Sequence, residues 1–143
     1  MLFGHIIDGE MVLNEVGRMV TDIWAGIPSH FPNVELGEFV VMPNHIHGII
    51  SITVGARHAV PLQEGTIESY GKPVSGSLPT IVRSFKSATT RTFHEFSGNL
   101  EKHLWQRSYY EHVIRNEREY RAIYDYILAN PMNWEKDDEY LVS

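Results

Sequence analysis

Val40-Val41-Met42-Pro43-Asn44-His45-Ile46-His47-Gly48-Ile49-Ile50 sets two histidines, one apolar residue apart, inside a hydrophobic run. On a β-strand, side chains at i and i+2 point to the same face, roughly 6.5 Å apart along the strand. Imidazole is costly to hold in an apolar strand without a partner. Two side by side point to a metal held on a sheet face. Residues on both sides, Glu38 to Val41 and Ile49 to Val54, are largely apolar or β-branched, which puts the motif in a buried strand. Pro43 implies that this strand is entered through a bend or begins just after it. Taken alone, such a pair is more often structural than metal-binding.

Working outward, Leu2 to Ile7, then Asp8-Gly9, then Glu10 to Leu13 read as a hairpin. Asn14 is the expected N-cap of a helix that buries Val16, Met19, Val20, Ile23 and Trp24, with Gly26 and Pro28 ending it. Val34 and Leu36 lead to a strand over Glu38–Met42, and the histidine strand comes next. Gly55 to Pro79 reads as a surface loop. A helix is expected to start near Ser77 to Pro79 and to turn Ile81, Val82, Phe85, Ala88 and Phe93 inward, with Arg83 and Lys86 on another face. Leu104 to Arg115 reads as a strand or extended segment. Asn116 to Asn130 reads as a helix with a capping-box start, Asn116 and Glu119, and an apolar stripe of Tyr120, Ile123, Tyr124, Ile127 and Leu128. Asn130-Pro131 stops it.

The chain has 143 residues, enough for one domain, 1–143, with a single core. No apolar run approaches the ~20 residues that span a bilayer, and no secretory leader pattern opens the chain. There are no cysteines. That excludes thiolate zinc sites and cysteine nucleophiles and suits a cytoplasmic protein. The net charge of −6 argues against a nucleic-acid partner, but its distribution weakens the objection. Between Arg83 and Arg121, eight bases stand against five acids, a balance of +3 that leaves −9 for the rest. A local basic patch on an acidic protein still tracks phosphates.

On the last helix Tyr126 and Asn130 lie one turn apart on one face. Tyr is both a nucleophile and a weak acid. The Asn carboxamide oxygen is a hard ligand suited to magnesium or manganese. If that helix packs beside the histidine strand, His45, His47 and Asn130 surround one metal, with Tyr126 in reach of whatever the metal polarises. Against this stand plainer readings: Tyr126 as a rim aromatic, Asn130 as a helix cap, Trp105, Tyr109 and Tyr110 as packing.

Three blocks in order make the chain similar to a known family: Val41-Met42-Pro43-Asn44-His45-Ile46-His47-Gly48-Ile49-Ile50, then Trp105-Gln106-Arg107-Ser108-Tyr109-Tyr110-Glu111-His112-Val113-Ile114-Arg115-Asn116-Glu117, then Tyr126-Ile127-x-x-Asn130-Pro131. It resembles the REP-associated branch of the single-tyrosine HUH transposases, relatives of insertion-sequence transposases, over nearly its whole length. The stretch Ile81 to Ser87 also fits. The resemblance implies an α+β fold, an α/β sandwich of ferredoxin-like type in which a central, mostly antiparallel sheet carries the His pair and helices pack on it. It implies His45 and His47 as metal ligands, Asn130 as the third, Tyr126 as nucleophile, and magnesium or manganese as cofactor. The reaction implied is cleavage and rejoining of single-stranded or hairpin DNA through a 5′-phosphotyrosine. Arg83, Lys86, Gln106, Arg107, His112 and Arg115 are the expected DNA contacts, with Trp105, Tyr109 or Tyr110 as stacking platforms. Family members usually carry a further strand before the position where Met1 stands, so a first strand is expected to be missing. Its absence would leave an open sheet position beside the motif, through which a homodimer could form.

Three functions therefore compete: a tyrosine transposase or nuclease, a catalytically inactive or domesticated DNA-binding module of the same descent, and a metal-dependent hydrolase unrelated to DNA. Tyr109 is the rival nucleophile. Helical spacing ties Tyr126, and not Tyr109, to a third ligand.

Overall fold

A computed structural model of the chain describes residues 2–53, 76–107 and 109–136. Asp8-Gly9 makes the expected turn, with φ of 51° and 78° at the two residues, the left-handed pair that joins twisted strands tightly. It connects β1 (Gly4–Ile7) to β2 (Glu10–Leu13), which pair antiparallel. Asn14 caps α1 (Glu15–Ala25), its Oδ1 accepting from the Gly17 amide at 2.9 Å. Gly26 ends α1, and Pro28 sits in the first turn of a short α2 (Ile27–His30). The strand expected over Glu38–Met42 is longer: β3 runs Val34–Val41, antiparallel to β4 (Ile46–Ile52). A long α3 (Leu78–Ser97) and α4 (Glu117–Ala129) come after it, then a 3-10 helix over Pro131–Lys136.

The fold is thus α+β, with two two-stranded antiparallel sheets among the described residues in place of one central sheet. Among the described residues the hairpin β1–β2 pairs only with itself. It is tied to the second sheet through Phe3, whose amide donates to the Pro43 carbonyl at 3.0 Å and whose ring is fully buried.

Alternation along β3 and β4 explains the layers. Directly paired residues share a face, so Phe39 with Gly48 and Val41 with Ile46 form one side, and Val40 with His47 the other. The first side receives the helices. Trp24 of α1 stacks on Phe39 at 4.4 Å between ring centroids and meets Phe85 of α3 edge-on at 5.6 Å. Gly48 makes this possible: a Cβ there would stand 2.5 Å from the Trp24 ring. The opposite side carries His47 and faces α4, which packs against β3. The sheet β3–β4 therefore lies between α1 with α3 and α4, and the histidines face α4.

Three local expectations change. Residues 104–107 and 109–115 form no strand: no described strand runs beside them, and Tyr110 is 92% exposed. On α3 it is Thr89, not Ala88, that is fully buried. Its hydroxyl is satisfied by donating to the Phe85 carbonyl and accepting from Trp105 Nε1–H at 2.7 Å. On α4 the stripe narrows to Ile123, Tyr124 and the buried Ile127, with Leu128 turned to solvent. The loop expected from Gly55 lies, over 55–75, outside the described residues.

Candidate active site

The turn between β3 and β4 builds the first half of the site. The Met42 amide donates to the His45 carbonyl at 2.8 Å, so Pro43 and Asn44 form the tip and His45 stands just before the strand. This bend swings the His45 ring over its neighbour. The two rings meet edge-on with centroids 4.7 Å apart, and His45 Nε2 lies 3.0 Å from His47 Nε2. His45 Nδ1 lies 2.7 Å from Asn44 Oδ1. A carboxamide oxygen only accepts, so Nδ1 carries the proton and His45 presents a lone pair at Nε2. His47 Nε2–H then donates into that lone pair.

The second half comes from α4 and the 3-10 helix beyond it. The Tyr126 ring stands edge-on to His47, with centroids 5.3 Å apart, and is 53% exposed. One turn on, Asn130 is only 3% exposed, and its Nδ2 has no hydrogen-bond partner among the described residues. Asn130 is the C-cap of α4, as the plainer reading expects, with helical dihedrals, φ −59° and ψ −46°, in place of the left-handed form that an Asn before a loop often takes. Pro131 ends the α-helix at Ala129, yet the chain runs on as the 3-10 helix. That continuation brings the buried Trp134 to 5.9 Å from the His45 ring, between centroids. Tyr126 and Trp134 thus bracket the His pair from one continuous helical segment, and Asn130 lies between them in sequence.

The spacing of the two imidazoles fits a divalent cation. Two nitrogens bound at right angles to an ion, each ~2.1 Å away, stand roughly 3.0 Å apart. That is the spacing of the two Nε2 atoms. A shift of the His47 proton from Nε2 to Nδ1 opens both lone pairs to one ion. Half a rotation of the Asn130 carboxamide puts its oxygen where the unpartnered Nδ2 stands, and that oxygen is a ligand magnesium or manganese accepts. Among the described residues no group of three or more His, Cys, Asp and Glu side chains gathers. A His₂Asn set lies outside that class.

The other expected site residues divide between two depressions. His47 and Tyr126 open into a groove of about 1180 Å³, together with Tyr109, His112 and Arg115. Arg83, Lys86, Trp105, Arg107 and Tyr109 line a cavity of about 880 Å³. Lys86 Nζ donates to the Gln106 carbonyl at 3.0 Å and lies 5.7 Å from the centre of the Tyr109 ring. Partial burial pushes the Lys86 ammonium below its usual value. Trp105 packs on Phe3 and Phe85 at 5.5 and 5.6 Å, so much of its ring serves the core. His112 lies 3.5 Å from Glu119 Oε2. The Glu119 carboxyl is held below its usual value, first by the hydrogen bond from the Arg115 amide and then by His112 nearby.

Sequence reasoning missed Asn44 and Trp134. Asn44 borders the first histidine and Trp134 lies four residues beyond Asn130, so both were within sight of the motifs. Their roles depend on a turn and a helical continuation that residue spacing does not reveal.

A Haemophilus influenzae protein described only as an uncharacterized protein is 44% identical over 142 residues, covering 98% of this chain and 78% of that one. No family model and no solved structure matches the chain. No helix among the described residues is long and apolar enough to cross a membrane.

Proposed function

We propose that this chain, which belongs to the same family as the Haemophilus influenzae protein, cuts and rejoins single-stranded DNA through a covalent bond to Tyr126, as its resemblance to the REP-associated tyrosine transposases implies. The observation that carries the reading is the meeting of three separate sequence features. The Tyr126 ring stands 5.3 Å from His47, His47 shares a 3.0 Å nitrogen contact with His45, and a buried carboxamide with an unpartnered nitrogen stands one turn after Tyr126.

In this mechanism His45, His47 and Asn130 hold a divalent cation, magnesium or manganese. Bound there, the cation supplies Lewis-acid polarisation of a phosphate oxygen. Asn44 keeps the His45 lone pair directed inward, and Trp134 supports the back of that ring. Tyr126 stands on the edge of the groove, half exposed, where an extended strand can reach it. Its phenolic oxygen attacks phosphorus as the P–O3′ bond breaks. The phenol proton passes through solvent to the leaving 3′ oxygen. A 5′-phosphotyrosine and a free 3′-OH result. The new phosphodiester keeps the energy of the old one, so attack by a 3′-OH reverses the step without ATP.

The test is incubation of the protein with a hairpin-bearing single-stranded oligonucleotide and magnesium or manganese, then denaturing electrophoresis. A DNA–protein adduct that resists denaturation is expected, and Tyr126→Phe abolishes it. An undiminished adduct in that variant would show that the nucleophile is another residue. Binding without any adduct, persisting when both histidines are changed to Ala, would favour the non-catalytic module.

A further inference from the structure

The groove that holds Tyr126 is poorly charged for a polyanion. Among the described residues its charged walls are Arg115 against Glu111 and Glu117, one cation facing two carboxylates. A phosphodiester chain gains little there, since affinity for nucleic acid comes mainly from cations that neutralise phosphates. The neighbouring cavity has the opposite balance. Arg83, Lys86, Arg91 and Arg107 face a single carboxylate among the described residues, Glu95. Among the described residues, no hydrogen bond or ion pair engages the guanidinium of Arg83, Arg91 or Arg107. Unpaired guanidiniums gathered round a concave surface suit planar, bidentate contacts to phosphate oxygens. The two depressions share a wall made by Val82 and Tyr109.

We propose that binding and cutting are divided between the two depressions: the Arg83–Arg91–Arg107 cavity grips the phosphates of an uncut length of the single strand, which then crosses Tyr109 into the groove of Tyr126. This rests on the DNA reading but not on the identity of the nucleophile. The part it adds is a phosphate contact at Arg91, which lies in the basic stretch but outside the blocks that carry the resemblance, and the assignment of affinity to the far cavity. Tyr109 is then a threshold on which a base stacks as the strand passes, not a second nucleophile. Lys86, seated against both the Gln106 carbonyl and the Tyr109 ring, holds that threshold in place.

The experiment reads binding alone, in the full chain carrying Tyr126→Phe, which forms no adduct at that position. Fluorescence anisotropy with a labelled single-stranded oligonucleotide is recorded across a salt series, with and without Arg83→Gln and Arg91→Gln together. Each lost contact to a single-strand phosphate lowers the slope of log K against log salt by about 0.7. The pair should therefore flatten it by about 1.4 and weaken binding at least ten-fold at low salt. A control pair, Glu111→Gln with Glu117→Gln in the other groove, should strengthen binding or leave it unchanged. An unchanged slope in the arginine pair, with circular dichroism showing an intact fold, would overturn the proposal. So would a larger loss from Arg115→Gln than from the arginine pair. If the arginine pair flattens the slope but no Tyr126 adduct is ever found, this division stands and the nucleophile assignment falls.

Discussion

Asn130 and Trp134 are both buried and four residues apart, yet their tasks are opposite. Asn130 carries a polar atom with nothing to bond, which costs stability. A group kept at such a cost is expected to serve binding. Asn130→Leu should therefore leave stability within about 1 kcal/mol of the parent or raise it, since it removes an unsatisfied donor. The same change should weaken manganese binding at least ten-fold by calorimetric titration. Trp134→Ala should do the reverse in the first measurement, costing about 3–5 kcal/mol in a denaturant titration by emptying a packed site behind His45. At this scale the Tyr126–Asn130 spacing was legible in the sequence because helix period puts the two one turn apart, and the histidine pair was legible as a motif, although a turn before β4, not strand period, brings the His45 ring to His47. The tautomer set by Asn44 and the support from Trp134 were not, because a two-residue turn and a helix that continues past proline decide them.

Among the elements, β4 and α4 position the site. Gly48 lets the Trp24 ring lie against β4, so Gly48→Ala should destabilise the fold by about 1–3 kcal/mol through overpacking. Thermal unfolding reads this directly. Helix α4 begins with Asn116 Oδ1 accepting from the Glu119 amide at 2.8 Å. Glu119 does not return the bond to Asn116 but accepts from the Arg115 amide instead, at 3.0 Å. Its folded pKa lies below its ordinary value, so its contribution is present above the ordinary carboxylate pKa and is lost as pH falls through the depressed one. Acid titration of helicity by circular dichroism should show α4 loosening over that range, and Glu119→Gln should remove this component. The caps were readable because each needs only a short-range signature. Of the two readings of Leu104 to Arg115, strand or extended, the strand fails for 104–107 and 109–115: their apolar content satisfies the pattern, whereas a strand also needs a partner, and none of the described strands lies alongside.

For the whole molecule, a chain of net charge −6 must concentrate its cations to hold DNA at all. The basic stretch between Arg83 and Arg121 was visible in the sequence but its division was not, because it depends on how residues 100–107 and 109 fold back beside α3 while 109–117 lie beside β4. Chelation of divalent ions should abolish adduct formation while leaving the salt-dependent binding largely in place, because the chemistry and the arginine cavity lie apart. The most direct measurement is mass spectrometry of the peptide that remains joined to DNA after the protein has reacted with a hairpin-bearing single strand and been digested. One modified peptide is expected, from α4, with the nucleotide on Tyr126. A nucleotide on Tyr109, or on any residue outside the reach of His45 and His47, would contradict the assignment.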